Sequence, residues 1–499
     1  RFSPVYKGGF QTLLDRGAVF ANAFYRHSSS ETGPGHAVIL TGRHASSSGI
    51  VANTWYDPYL KKQVNVVEDP AHQPVGGPGR GASPANLLGF TLGDKIKQKW
   101  PESKVVGVSL KDRSAILMTG HRADAAYWYE NECGCFITST YYFRRPPAWL
   151  VQFNSRKLSD QAFEKPWTRL VDDVALYEKY AGRDDAPGEW DLKDIVFPHP
   201  HRAKPGTSEY YDNLRRTPFA DEIVLEAALE ILPAHDLGAD ASPDLLAVGF
   251  SGSDVIGHTY GPYSQEILDE FLRLDLILAK LLKAVETRAG GAANLLVVLT
   301  ADHAGMPLVE QMQKEGKDAR RYTPSVLEDA VRNALKERYP AVPDLIADFD
   351  SPHFTLNLAA IRKHGLRQSE VEQTAIRALL GTGAVARVYT HADMLSDQST
   401  QDPYIGLFRN SFFQPRSPHL MVLQRKYTYI DKRAGGTGHG TAYEYDRHVP
   451  IVWMGPGIQP GRHTALAGPE DIAPTLAKML GIEYPVEHDA RLLTEVLPP

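Results

Sequence analysis

The sequence predicts an α/β fold: a mostly parallel central sheet covered by helices on both faces, with an α+β insertion. Three observations carry this. Lys104-Val-Val-Gly-Val-Ser-Leu110, Pro243-Asp-Leu-Leu-Ala-Val-Gly-Phe250 and Leu295-Leu-Val-Val-Leu-Thr300 are apolar runs of strand length, the pattern of strands buried on both faces. Helical apolar spacing at 220–232 and 265–288 falls around and between the last two, a strand–helix alternation that favours parallel pairing. Each run also ends abruptly in polar residues, and in open α/β sheets ligands bind outside the carboxyl ends of strands.

The 499 residues suffice for a large core, and on length alone two to four domains are expected. A net charge of −6 and the absence of a Lys/Arg run argue against a nucleic-acid partner. No apolar stretch approaches the roughly 20 residues of a membrane span. The chain starts at Arg1 with neither initiator Met nor signal peptide, as a processed or truncated chain does. Cys133 and Cys135 lie one residue apart. A bridge across so short a loop would be strained, so free thiols are at least as well supported.

In chain order, a strand-like run at 17–24 leads into His27-Ser-Ser-Ser-Glu-Thr-Gly-Pro-Gly-His36. A strand, a small-residue turn and then a helix present a side chain and backbone N–H groups at a helix N-terminus, where anions bind. Thr32 is the candidate nucleophile there, although a Thr before Gly-Pro-Gly is by itself a turn or cap residue. Asn53 follows Ile50-Val-Ala52, residues 69–86 form a Pro/Gly-rich loop, and a helix is expected at 92–99. The first apolar run ends in Lys111-Asp-Arg113, which alone reads as a solvated turn. Residues 136–194 are aromatic-rich and irregular, and read as a surface excursion.

The second run ends in Ser251-Gly-Ser-Asp-Val-Ile-Gly-His258, and the third in Asp302-His303. Residues 310–430 change character, with helical patterns at 325–338 and 368–380 and strand-like runs at 354–358 and 420–423. They are read as an inserted, cap-like subdomain over the sheet's carboxyl edge, on a core of 1–309 and 431–499. The chain returns through Gly435-Gly-Thr-Gly-His-Gly-Thr441, too glycine-rich for a helix. A strand at 449–454 and a helix at 469–480, closed by Gly481, complete it.

The run ends converge. If the strands are parallel neighbours, Lys111 and Arg113, Asp254 and His258, and Asp302 and His303 share one edge. Asp254, His258 and the distant His439 supply a three-ligand zinc site with room for water or substrate. Asp302 and His303, with the Thr32 oxygen, would hold a second ion. Two divalent ions roughly 3.5–4 Å apart suit phosphoryl transfer, because each can hold one of the two apical oxygens.

Over nearly its whole length the sequence resembles the alkaline phosphatase superfamily, and most closely the bacterial phosphate-irrepressible alkaline phosphatases with a threonine nucleophile. The stretches that carry the resemblance are Glu31-Thr-Gly-Pro-Gly-His-Ala37, Val51-Ala-Asn-Thr-Trp-Tyr-Asp57, Ser109-Leu-Lys-Asp-Arg113 and Ser251-Gly-Ser-Asp-Val-Ile-Gly-His-Thr-Tyr-Gly-Pro262. Leu299-Thr-Ala-Asp-His303 and Gly436-Thr-Gly-His-Gly-Thr441 complete them. The resemblance implies Thr32 as nucleophile and two zinc ions per chain. One would be held by Asp254, His258 and His439, the other by Asp302, His303, Thr32 and a further aspartate expected upstream of residue 1. Asp15 lies in a helix-like stretch and is not nominated. Ala304 stands where a glycine is usual after Asp-His. Relatives of this kind are typically periplasmic or secreted.

The same resemblance separates substrates. It gives Asn53, Lys111 and Arg113 to the free phosphoryl oxygens of a monoester, which carry nearly two negative charges. Phosphodiesterase and nucleotide pyrophosphatase relatives keep the Asn without the Lys and Arg. The expected activity is therefore hydrolysis of small-molecule phosphate monoesters through a phospho-threonine. The alternatives are a phosphodiesterase or nucleotide pyrophosphatase, and a catalytically dead phosphate-binding relative. A sulfatase is disfavoured, since Thr32-Gly-Pro-Gly35 offers no formylglycine precursor.

Overall fold

Residues 2–190, 192–396 and 401–497 are described by the structure, a computed structural model. Two sheets, of four and five strands among the described residues, are built on eight principal strands. They are β1 (Ala18–Phe20), β2 (Val105–Ser109), β3 (Ala125–Glu130), β4 (Cys135–Ser139), β5 (Leu245–Gly249), β6 (Val297–Thr300), β7 (Ile451–Met454) and β8 (Gly461–His463). One sheet has the order β8-β1-β7-β6; the other runs β4-β3-β2-β5, with the short Pro74–Val75 strand outside β4. β2 and β5 run parallel in register, as expected for the first two apolar runs, with β3 parallel on the other side of β2; the third run, β6, pairs instead antiparallel with β7, and β4 and β7 are antiparallel to their neighbours.

Each core strand sends alternate residues to opposite faces. Leu246 and Val248 of β5 and Leu299 of β6 face the cluster formed with α4 (Phe219–Ala234) and α6 (Gln265–Arg288). Leu245 and Ala247 of β5 and Val298 of β6 face the opposite cluster, with Ile39 and Leu40 of α2 (Thr32–Thr41) and α7 (Ile472–Met479). β5 and β6 thus share packing on both faces, yet among the described residues no ladder joins them. This revises one expectation. The residues of β6 are half-buried rather than sealed, because its edge toward β5 carries no paired strand.

Two further expectations change. Residues 136–194 are not all surface: Phe136, Ile137, Thr138 and Ser139 of β4 are buried against β3, and Trp167 and Tyr177 are wholly buried. Cys133 and Cys135 are joined in a disulfide, their Cα atoms 5.2 Å apart at the turn into β4, within the usual bridging range. Asp15 sits in α1 (Gly9–Arg16), where it accepts a hydrogen bond from Gln11 Nε2.

Between residues 310 and 430 lies a separate antiparallel sheet, in the order Ile346–Asp350, His353–Leu356, Leu420–Gln424, Val385–Thr390. It is backed by the helices Pro324–Arg338 and Gln368–Gly381. A two-stranded ribbon, Arg320–Tyr322 with Thr428–Ile430, closes its base. Two imidazoles work as neutral acceptors in this sheet: His353 Nδ1 accepts from Val422 N (3.0 Å) and His419 Nδ1 from Leu356 N (3.2 Å). Burial holds both rings down to about 4. The unfolded chain therefore takes up protons first at these rings, so their contribution to stability is flat above about pH 6.5 and falls between about 6.5 and 4, at most by about 1.4 kcal/mol per pH unit for each ring. Thermal melts across that window should show a shallower acid slope for His353→Gln, which keeps an acceptor but does not titrate. An unchanged slope would remove this assignment.

Candidate active site

Four strand or loop ends deliver the predicted side chains to one place. Beyond β2, Lys111 precedes α3 (Asp112–Thr119), which carries Arg113 in its first turn. Beyond β5, α5 (Gly252–Tyr260) places Asp254 and His258 one helical turn apart on one face. Asp221 accepts from Gly252 N with both carboxylate oxygens, both at 3.1 Å, and fixes the start of that helix. Asp302 and His303 follow β6 directly. His439 lies in the glycine loop, where Gly436 adopts φ +75° and Thr437 N donates to the His258 carbonyl. Thr32 opens α2 and is buried. A side chain at Gly35 would overlap the Asp302 carbonyl oxygen, so glycine is what lets α2 lie against the end of β6.

The donor atoms converge. Asp254 Oδ1 lies 3.3 Å from His258 Nε2, 3.6 Å from His439 Nε2 and 3.9 Å from His303 Nε2. His439 Nε2 is 3.1 Å from His258 Nε2, and the His303 and His439 rings stack at 3.6 Å between centroids. All three imidazoles are turned the same way: Nδ1 meets a backbone carbonyl, of Thr437 for His258 (2.8 Å), Ser30 for His439 (2.6 Å) and Ala304 for His303 (3.0 Å). This fixes Nδ1 as the protonated nitrogen and leaves each Nε2 lone pair facing the cluster, the arrangement that orients metal-ligating histidines. His303 Nε2 is buried without a hydrogen-bond partner. The donor set fits a divalent transition ion. Among the described residues, ligand atoms of Asp254, His303 and His439 all lie within 4.8 Å of one another.

Charge is arranged to match. Burial would raise Asp254, but Lys111 and the three histidines around it hold it well below the usual carboxylate range. Asp302 is likewise kept low against burial by His303, His36 and Lys111. Burial lowers His258, and burial with the neighbouring rings lowers His439 well below its ordinary value, so both are neutral and able to ligate. Lys111 Nζ bridges the cluster to the nucleophile position, 2.5 Å from Asp254 Oδ2 and 3.3 Å from Thr32 Oγ1. Asn53 Oδ1 accepts from Gly33 N (2.7 Å), which leaves the Asn53 amide N–H groups to donate. Arg113 Nη1 lies 3.7 Å from Asp112 Oδ1, and its buried Nε has no hydrogen-bond partner among the described residues.

Eight of the nine residues singled out in the sequence are drawn together by these contacts; the ninth, Arg113, lies in the first turn of α3, two residues from Lys111, with its side chain near Asp112. Two that were passed over belong to the same neighbourhood. His36 Nδ1 lies 2.9 Å from the Thr32 carbonyl oxygen and 3.2 Å from Asp302 Oδ2. Its four-residue spacing from Thr32 was the available signal, since α2 puts both on one face. Glu31 Oε2 accepts from Asn53 N (2.9 Å), and burial pushes its carboxyl up to about 7. An acid preceding Thr32 carried no comparable signal.

A family described as type I phosphodiesterase / nucleotide pyrophosphatase matches residues 2–448. The alkaline phosphatase PhoV of Synechococcus elongatus is 31% identical over 100% of this chain and 90% of its own. The alkaline phosphatase PafA of Elizabethkingia meningoseptica is 30% identical over 99% of this chain and 91% of its own. The crystal structure of wild-type PafA superposes with a TM-score of 0.91 at 29% identity, covering 98% of this chain and 94% of that one.

Proposed function

Because the chain belongs to the type I phosphodiesterase / nucleotide pyrophosphatase family, within the alkaline phosphatase superfamily, we propose that it is a zinc-dependent phosphomonoesterase working through a phospho-threonine. The observation that carries this reading is Lys111 Nζ, shared between Thr32 Oγ1 and Asp254, which sets the threonine hydroxyl beside the imidazole cluster. Asp254, His258 and His439 are taken as one ligand set, and Asp302, His303 and Thr32 as the other. Two zinc ions bound there would supply Lewis-acid charge to the threonine oxygen, the leaving oxygen and the hydrolytic water.

The protein's own residues then have separate tasks. Thr32 Oγ attacks phosphorus as the bond to the leaving alcohol breaks; water later cleaves the Thr32 ester and releases phosphate. Lys111 holds a cation at the reacting oxygen. His36 and Gly35 fix Asp302 against the start of α2. Asn53, with its oxygen engaged, donates to one free phosphoryl oxygen, and Arg113 to another. The 310–430 segment is proposed as a cap over this edge, supported by Gln63 Nε2 donating to Asp348 Oδ2 (2.6 Å) and Thr54 Oγ1 to Asp350 Oδ2 (3.3 Å), just beyond Asn53. An exported enzyme is proposed as well, supported by the Cys133–Cys135 disulfide, a bond that persists in oxidising compartments. No helix among the described residues is long and apolar enough to cross a membrane.

Charge at the phosphoryl oxygens separates this reading from a phosphodiesterase. A diester replaces one charged oxygen with an ester oxygen, and cationic donors there lose their counter-charge. Lys111→Ala with Arg113→Ala should therefore lower kcat/KM on an aryl phosphate by about 10²-fold more than on a diaryl phosphate. Steady-state rates on both substrates at alkaline pH, with and without chelator, decide it. Equal losses, or faster turnover of the diester by the wild type, would replace the monoesterase reading with the diesterase one.

A further inference from the structure

The glycine loop that carries His439 is gripped from the inserted segment as well as from the core. Arg321 lies in the ribbon at the base of that segment. Its Nη1 donates to the Gly436 carbonyl (2.8 Å) and its Nη2 to the Gly188 carbonyl (3.4 Å). Nε and Nη2 also donate to the two carboxylate oxygens of Glu310, both at 2.6 Å. Glu310 stands in the helix Val309–Lys314, on the stretch that leads away from His303. The Arg321 and Glu310 side chains are 18% and 27% exposed, so water competes little for this pair. A two-pronged guanidinium–carboxylate pair fixes direction as well as distance, and a lysine cannot reproduce it.

The same ribbon meets the loop a second time. A side chain added at Gly438 would lie 3.0 Å from Cε2 of Tyr429, and the Arg321 guanidinium sits 5.3 Å from the centre of that ring. The core supplies the other grips. Gly436 N donates to the Gly188 carbonyl (2.7 Å), Thr437 N to the His258 carbonyl (3.0 Å) and Met306 N to the Gly438 carbonyl (2.9 Å). Arg321 thus shares with Gly436 N the Gly188 carbonyl on which the loop rests. Such support matters because the loop cannot stiffen itself. Gly436 and Gly440 stand on either side of His439 at φ +75° and +107°, and glycine gives up more conformational freedom on ordering than any other residue. The bond from His439 Nδ1 to the Ser30 carbonyl (2.6 Å) sets the turn of the ring but not the path of the backbone.

We propose that Arg321 is a positioning residue for the His439 loop, so that the inserted segment governs how firmly His439 is presented to the imidazole cluster. The inference rests on the reading of Asp254, His258 and His439 as one ligand set. Asp302 lies outside this grip, since it packs on Gly35 and His36 of α2. The insertion is then more than a cover. Loosening its ribbon would weaken the ion at Asp254, His258 and His439 and leave the ion at Asp302 and His303 in place.

Two measurements on the full chain test this: peptide-resolved hydrogen exchange without metal, and zinc release to a chromogenic chelator. In Arg321→Ala, exchange over 435–441 should quicken about tenfold. One of the two zinc ions should leave about tenfold faster, at the low end of the effect of removing an outer partner, and the other at the wild-type rate. Arg321→Lys keeps one donor for the Gly436 carbonyl but not the fork, and should fall between. If Arg321→Ala does not fold, Arg321→Lys and Glu310→Gln carry the same comparison. Unchanged exchange and unchanged zinc release in a folded Arg321→Ala would overturn the proposal. Faster exchange throughout the chain, with both ions lost alike, would reduce Arg321 to a general stabiliser and overturn it as well. A wild type that binds no zinc would refute the ligand-set reading instead, and exchange over 435–441 would then decide the role of Arg321 alone.

Discussion

Thr32→Ala should lower kcat on an aryl phosphate by on the order of 10³-fold or more, about 4 kcal/mol of transition-state stabilisation. The side chain is buried at the first position of α2, with Oγ1 3.3 Å from Lys111 Nζ, and alanine fits the same helical start. The variant should therefore fold as the wild type does, while losing the nucleophile and, with it, one proposed ligand of the Asp302–His303 ion. Thr32→Ser keeps a hydroxyl at the same atom and should retain most of the rate. Acid quenching during turnover, followed by peptide mass analysis, should find one phosphoryl group on the peptide containing Thr32 in the wild type and none in Thr32→Ala. A Thr32→Ala enzyme within tenfold of wild type, with no phosphopeptide from either protein, would mean direct attack by water.

Asp254→Ala should be as damaging by a different route. Oδ1 of Asp254 faces three imidazole nitrogens within 3.9 Å, and Oδ2 holds Lys111. Its removal deletes a proposed ligand and leaves a buried lysine without its carboxylate, a change that costs about 3–5 kcal/mol where buried pairs have been broken. Metal affinity should fall by more than the 10–100-fold typical of outer-shell partners, and turnover should fall with it. Elemental analysis after dialysis, with activity titrated against added zinc, checks both. A variant that keeps its zinc and its rate would dissociate Asp254 from the metal centre.

Much of this site is legible in the amino-acid order because its parts sit at strand ends. The 265–288 helix is found at its predicted bounds, since its long 3.6-residue period leaves no rival reading. The parallel β2–β5 pair follows from two unbroken apolar runs. Cys135–Ser139 was passed over because five residues with mixed polarity, set among aromatics, resemble a loop until β3 lies beside them. The half-buried state of β6 was equally invisible: apolar composition says that a strand can be covered, not which neighbour covers it. Side-chain contacts lie further still from the sequence. Lys111 could be placed at a strand end, but its reach to Thr32, 79 residues away, is set by the relative height of α2 and β2.

The seam between β5 and β6 gives the proposed ions a mechanical task. Among the described residues, two half-sheets meet there through side-chain packing, with no ladder between them to resist sliding. Asp254 and His258 hang from one half, Asp302 and His303 from the other. The ion proposed for Asp254, His258 and His439 would be a rivet across the joint, because His439 lies in the loop that leads to β7 of the other half. Held at a thousandfold excess over its dissociation constant, it adds about 4 kcal/mol to the cohesion of the whole molecule. Losing it would let the halves creep apart at the spot where phosphorus must be held in line, so scaffold and reactivity fail together.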